Sequence, residues 1–378
     1  MRVALLGTTV ACVLGFRSGL IRALVQRGNV VYAFASDYTE NSKHEVALLG
    51  AIPIDYKINR SGLNPFSDLI CTLKLVKQFK DLKLDLVFSY FVKPVIFGSF
   101  AAKLAGVPKS IGMLEGLGYV FTDKENGSST KEIFLKKVQL FLYHMSIPLL
   151  DSLIFLNHDD PVDLIVNNNI KAKSVHVLGG IGVDLKKFEF SPVNIDAISF
   201  LFVGRLLNEK GINEFIGAAK IVKKIHPEVK FVVLGGLDPD NPGSLSKESL
   251  DQLIQDDLIV YSGYVKDVKP WLINSSVFVL PSYREGVPLS TQEAMAIGRA
   301  VITTNVPGCR ETVIDGKNGF LIPPWSSQVL AEKMIFLIDN PNKIKEMGEE
   351  SAKIALEKFD EKIVNTKLLE LLGISKEG

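Results

Sequence analysis

The sequence predicts an α/β chain of two Rossmann-like, doubly wound domains facing across a cleft, and three observations carry that expectation. Its 378 residues are about two to three times the usual span of one domain. Short apolar runs alternate with helical-period stretches almost throughout, the pattern of parallel strands covered by helices on both faces. The alternation breaks at F-S-P-V-N, where Pro192 disfavours both helix and central strand, so a boundary is expected near Phe190–Asn194. The domains are then 1–190 and 191–360, and the last helical stretch, from Glu361 through Leu372 with the tail to 378, is a candidate to pack back on the first.

In chain order, V-A-L-L-G reads as a buried strand ending in Gly7, and the stretch from Gly15 to Arg27 has helical spacing with Arg17, Arg22 and Arg27 on its polar side. Further strands are expected near 30–35, 52–55, 85–90, 109–113, 151–156 and 174–178, with helices between them. The second half repeats the pattern, with strands near 198–203, 230–235, 258–262, 276–280, 300–304 and 319–322. Ligands of such sheets bind beyond the carboxyl ends of the strands, so function is sought in the strand-to-helix loops.

Composition excludes several classes. A 47% hydrophobic and 22% charged chain is neither disordered nor a disulfide scaffold, and a net charge of +1 offers no argument for nucleic acid. The charge is uneven: residues 1–188 hold 22 basic and 16 acidic residues, the remainder 21 and 26, a hint that the first half meets something anionic. Cys12, Cys71 and Cys309 are odd in number and widely spaced, which suggests neither disulfides nor zinc and fits a reducing, cytoplasmic setting. The N-terminal apolar run reads as a strand rather than a signal peptide, and Lys93 and Lys103 divide the most apolar region before it reaches a membrane-spanning length of about 18 to 20 residues.

Strand F-L-F-V-G ends in Gly204 and leads into R-L-L-N-E-K-G, which places Arg205 and Lys210 at the mouth of a sheet just before a helix. A guanidinium and an ammonium there can stabilise the charge of a departing diphosphate without a metal, although two solvated surface cations would read the same. Farther on, L-P-S-Y-R-E-G-V-P-L-S-T-Q-E puts Glu285 on a loop and Glu293 about one and a half turns into a helix entered through Gly286 and Pro288. A carboxylate at 293 can accept hydrogen bonds from a vicinal diol such as ribose. D-P-D at Asp238–Asp240 has a metal-like spacing but lies in a polar turn, and no metal site is expected.

The run from Phe202 to Val313, with F-V-G-R-L-L-N-E-K-G, L-P-S-Y-R-E-G, V-P-G-C-R-E and the two glutamates Glu285 and Glu293 with seven residues between them, resembles the donor-binding half of retaining GT-B glycosyltransferases of family 4. The resemblance extends over essentially the whole chain. It implies that Arg205 and Lys210 hold the donor diphosphate, that Glu285 meets the transferred sugar and that Glu293 binds the nucleotide ribose. Gly204, Gly235, Gly236, Gly286, Val287 and Leu289 would border the donor, and Val265 would contact the base through its backbone. UDP is the favoured nucleotide, although spacing does not separate UDP from GDP. The nucleotide sugar is a substrate, and no cofactor is implied.

In M-L-E-G-L-G-Y-V-F, Glu115 follows a strand between Gly112, Gly116 and Gly118, where a carboxylate can orient an acceptor hydroxyl, take its proton or simply cap a turn. This segment, with S-G-L-N-P-F before it, is similar to bacterial family members that transfer N-acetylgalactosamine to lipid-linked oligosaccharides. The implied acceptor is a polyprenyl-diphosphate saccharide, with Gly7 bordering it and Arg17 either meeting its pyrophosphate or serving as a solvated helix charge. The loop after Gly7 departs from relatives that carry a double glycine or a paired-histidine motif. Helical segments over 68–83, with Lys74, Lys77, Lys80 and Lys83, and over 130–149, with Lys131, Lys136 and Lys137, combine cations with bulky apolar residues. They are candidates for contact with anionic lipid at the cytoplasmic face of the inner membrane, or for ordinary packed helices. A sugar-nucleotide 2-epimerase and a noncatalytic sugar-nucleotide-binding protein are the competing functions.

Overall fold

The computed structural model describes residues 1–58, 65–123, 125, 127, 129–239, 241 and 243–374; most of S-G-L-N-P-F and Asp240 of D-P-D lie outside the described residues. Two compact units divide the chain, the first built on Met1–Phe121 and Ser129–Ile181 and joined by the segment from Lys362 onward, the second on Gly182–Glu361. The division therefore falls ahead of the proline-bearing segment at 190–194. That segment is pinned to the second unit: Ser191 N donates to Ile297 O at 3.0 Å, Ser276 Oγ donates to Asn194 O at 3.2 Å, and the Phe190 ring lies where a side chain on Gly298 would stand. Pro192 breaks the periodicity without freeing the backbone.

The first unit holds a seven-stranded sheet of β1 (Arg2–Leu6), β2 (Val30–Ala35), β3 (Ile52–Asp55), β4 (Leu86–Tyr90), β5 (Lys109–Leu114), β6 (Ser152–Phe155) and β7 (Val175–Val177). All its pairings are parallel, in the order β3-β2-β1-β4-β5-β6-β7. The second unit holds β8 (Ser199–Val203), β9 (Lys230–Leu234), β10 (Val260–Tyr261), β11 (Val277–Leu280), β12 (Ala300–Thr304) and β13 (Gly319–Ile322), in the order β10-β9-β8-β11-β12-β13, again parallel. Every predicted strand is present, its ends within two residues of expectation. Each sheet reverses its strand order once, between β1 and β4 and between β8 and β11, and such reversals leave a crevice beyond the strand ends.

The central strands are apolar because both faces are covered. All five residues of β4 are buried, and each Leu, Val or Phe so placed contributes about 1.5–3 kcal/mol relative to exposure. Helix Val92–Ala105 packs so closely that a side chain on Gly98 would come within 2.6 Å of Leu6 Cδ2. The C-terminal helix, Glu361–Leu371, belongs to the first unit, with Lys367 Nζ donating to Val177 O at 2.9 Å and Lys109 Nζ to Leu372 O at 2.9 Å. Where one helix was expected over Gly15–Arg27, two are found, Val10–Phe16 and Ser18–Gln26. Arg17 stands between them with φ −122° and ψ 0°, outside the helical region, and its side chain turns inward.

Candidate active site

The reversal between β8 and β11 opens on a cavity of about 240 Å³ lined by Val203, Gly204, Arg205, Lys210, Leu280, Glu285, Pro288, Leu289 and Ser290. Two segments that are 75 residues apart meet there: Lys210 Nζ lies 2.5 Å from Glu285 Oε1, and Ser282 Oγ donates to the same oxygen at 2.8 Å. The backbone makes this approach possible. Gly211, at φ +76°, passes so near β11 that a Cβ would come 2.1 Å from Pro281 O, which only glycine permits. Tyr283 N donates to Glu209 O at 3.0 Å and ties the Asn208–Lys210 turn to the loop after β11.

The Glu285 loop is braced from its other side. Glu285 N donates to Pro307 O at 3.0 Å, and Gly308, at φ +79°, lies where a Cβ would meet Glu285 O at 2.2 Å. Ser282, Gly211 and Gly308 were not singled out from sequence, although P-S-Y-R-E-G and V-P-G contain two of them; their signal is geometric. Pro288 is the N-cap of helix Leu289–Ile297, and the helix ends at Gly298 with φ +89°.

Arg205 lines the cavity but pairs with Asp238 at 3.0 Å on a largely exposed surface, so the D-P-D turn supplies an anion to the candidate diphosphate arginine. Gly235 cannot carry a side chain: at φ +139° its Cβ would come 1.8 Å from Gly204 O, whereas Gly236 faces open space. Gly235, Gly236, Val265, Gly286, Val287 and Glu293 do not line this cavity. Gly286 and Val287 are buried and Val265 is half-buried. Glu293 is half-buried on helix Leu289–Ile297; its burial pushes the carboxyl up to about 7, opposed by Lys187 and reinforced by Asp267. Among the described residues no three His, Cys, Asp or Glu side chains cluster to hold a metal ion.

In the first unit Gly7, Tyr90, Arg17 and Glu115 gather at the carboxyl ends of β1, β4 and β5. Arg17 is not a solvated helix charge: it forms a buried ion pair with Glu115, and its guanidinium lies 4.6 Å from the centre of the Tyr90 ring. Gly7 is held by close packing, since a Cβ would come 2.3 Å from the Tyr90 hydroxyl. Burial pushes the Glu115 carboxyl up and Arg17 opposes it.

The two lysine-bearing segments form helices Pro65–Leu82 and Thr130–Ser146, each packed against helix Val92–Ala105. Lys83 falls just outside the first, at φ +49°. Phe66, Leu69, Ile70 and Leu73 are exposed on one helix, and Ile133, Phe134, Phe141 and Met145 on the other. Among the described residues no helix is long and apolar enough to cross a membrane.

Residues 185–354 match the family described as glycosyl transferases group 1. The chain is 30% identical, over 98% of its length and 98% of the relative, to an N,N'-diacetylbacillosaminyl-diphospho-undecaprenol alpha-1,3-N-acetylgalactosaminyltransferase of Campylobacter jejuni. It is 29% identical, over 69% of its length and 68% of the relative, to the Escherichia coli UDP-Gal:alpha-D-GlcNAc-diphosphoundecaprenol alpha-1,3-galactosyltransferase. Among solved structures it is similar in fold to Anabaena HepE in complex with UDP and glucose, with a TM-score of 0.78, 17% identity and 99% coverage of both chains. Two doubly wound parallel sheets in this order are the GT-B architecture.

Proposed function

The chain belongs to the glycosyl transferases group 1 family, and on that footing we propose that it is a retaining, family 4 enzyme that moves a hexose or N-acetylhexosamine from a UDP-sugar to a polyprenyl-diphosphate-linked saccharide in surface glycan assembly. The observation that carries the donor half of this reading is the cavity at the β8–β11 reversal, where Arg205 and Lys210 from the segment after β8 converge with Glu285 from the loop after β11. The acceptor half is supported by the two relatives whose names specify diphospho-undecaprenol saccharides, one of them matched over nearly the whole chain.

In this reading the acceptor oxygen bonds to the anomeric carbon on the face from which the diphosphate departs. The bond from that carbon to the diphosphate oxygen breaks, and the acceptor proton passes to a donor phosphate oxygen. No covalent enzyme intermediate is needed, so the protein's work is positioning and charge stabilisation. Lys210 and Arg205 take up the charge of the leaving diphosphate, which needs no metal. Glu285, with one oxygen fixed by Ser282 and Lys210, presents carboxylate character to sugar hydroxyls. Glu293 holds the ribose, and Glu115 the acceptor hydroxyl.

The exposed apolar and basic faces of helices Pro65–Leu82 and Thr130–Ser146 support contact with anionic lipid at the cytoplasmic face of the inner membrane, where such an acceptor would be met. Incubation with a panel of nucleotide sugars, with and without a polyprenyl-diphosphate saccharide, tests the function through free nucleotide and product mass. Transfer that depends on the acceptor, continues in chelator and keeps the anomeric configuration is the expected result. Conversion of the donor without acceptor would instead identify an epimerase, and binding without turnover a noncatalytic protein.

A further inference from the structure

The first unit carries a buried ionic group that the donor chemistry does not use. Arg17 stands in the break between helices Val10–Phe16 and Ser18–Gln26 and pairs with Glu115, 98 residues later at the end of β5, with side-chain exposures of only 2% and 4%. Its Nη1 donates to Phe16 O at 3.0 Å, and the Tyr90 ring lies under the guanidinium. Tyr90 in turn is seated against Gly7, so the cation is held by a ring, a carboxylate and its own backbone. Two charges withdrawn from water gain little net stability over an apolar pair of the same shape, so this pair demands an explanation other than stability. Beyond Glu115 the chain runs through Gly116 at φ +126° and Gly118 at φ +83°, a turn that leaves the carboxylate's direction to its partner.

We propose that Arg17 is a positioning residue: wedged between Tyr90 and Glu115, it holds the Glu115 carboxylate ionised and in one orientation at the carboxyl end of β5, and does not itself bind the acceptor diphosphate. The inference rests on the reading of Glu115 as the acceptor-side carboxylate. Around the Arg17–Glu115 pair stands Tyr90 from β4, with Cys12 and Tyr38 acting on Tyr90. Burial alone drives the carboxyl toward its neutral form, and Arg17 is the cation that opposes it. Without that cation the carboxyl titrates at higher pH.

The test uses the purified full chain with UDP-sugar and lipid-linked acceptor, comparing Arg17→Gln, Arg17→Lys and Glu115→Gln. Arg17→Gln is expected to lower kcat for transfer by about tenfold or more at pH 7 and to move the acid limb of the kcat/KM profile to higher pH, with UDP affinity unchanged. Arg17→Lys, which keeps the charge, should restore most of the rate and the original limb. An unmoved acid limb in Arg17→Gln, or a lysine variant as impaired as the glutamine one, overturns the proposal. Should Arg17→Gln fail to fold, Tyr90→Phe against Tyr90→Leu decides: the ring-retaining variant keeps the wild-type profile and the other shifts it, while equal profiles refute the wedge. Wild-type transfer by Glu115→Gln would remove the acceptor role of Glu115. A carboxyl-carbon NMR titration, with the Glu115 signal assigned by its loss in Glu115→Gln, would then still show whether Arg17 keeps that group ionised.

Discussion

Replacing Glu293 by glutamine should make the second unit more stable at neutral and alkaline pH, and the size of the effect follows from its surroundings. Burial raises the carboxyl from 4.5 to about 7. Between those values the folded chain keeps a proton that the unfolded chain has released, so folding stability falls as pH rises through the window and levels off above it. At 1.36 kcal/mol per unit, the window is worth about 3 kcal/mol. Glutamine cannot ionise and removes this slope. Relative to wild type, Glu293→Gln should therefore gain about 3 kcal/mol between pH 4.5 and pH 8. Urea unfolding followed by tryptophan fluorescence isolates the relevant unit, because Trp271 and Trp325, the chain's two tryptophans, both lie in it. If Glu293 binds the ribose diol as proposed, the ionised form, which accepts at both oxygens, is the better partner, so UDP affinity should rise about tenfold from pH 6 to pH 8 in wild type beyond any rise in the variant. The variant measured alongside subtracts the titration of the phosphate itself. Parallel stability curves for the two proteins across this range would show that Glu293 ionises as in water and would refute the reasoning.

Other expectations follow from the same geometry. Arg205→Ala and Lys210→Ala should each cut turnover about a hundredfold, about 3 kcal/mol of transition-state stabilisation, in steady-state transfer assays; near wild-type rates in both would contradict the diphosphate role. Gly308→Ala should lower stability by more than Gly316→Ala in urea unfolding, since both have left-handed φ angles, +79° and +74°, but only at 308 would the methyl meet carbonyl oxygens. Equal losses would mean that the Glu285 loop yields to the methyl. Leu69→Ser with Ile70→Ser should weaken co-sedimentation with anionic liposomes at low salt, and binding that survives unchanged would place the lipid contact elsewhere.

The sheets were legible because strands buried on both faces must be apolar along their whole length, and helices between them must not be. That is a local property, and it located all thirteen strands. Partnerships across long sequence distances were less so. Arg17, Arg22 and Arg27 share one helical spacing, yet Arg22 is exposed, Arg27 half-buried and Arg17 buried, because the helix breaks at 17 and turns that one residue inward. Glu115 was recognisable as a carboxylate at a strand end, but nothing in its neighbourhood announced a partner 98 residues earlier. Lys210 and Glu285 were grouped through a family resemblance, whereas the pairing of Arg205 with Asp238 was missed because a D-P-D turn has the composition of any polar loop. Glycines at 211 and 308 are required by backbone carbonyls of other segments, a constraint that no local window contains.

If Lys210 and Arg205 hold the donor diphosphate, as proposed, the carboxylates paired with them have a consequence for turnover. An empty socket of two bare cations would grip a spent diphosphate as firmly as an arriving one. Here Glu285 and Asp238 stand ready to reclaim their partners as soon as the anion loosens. On the proposed reading, product departure would be an exchange of one counterion for another, with each cation handed back to a carboxylate already beside it.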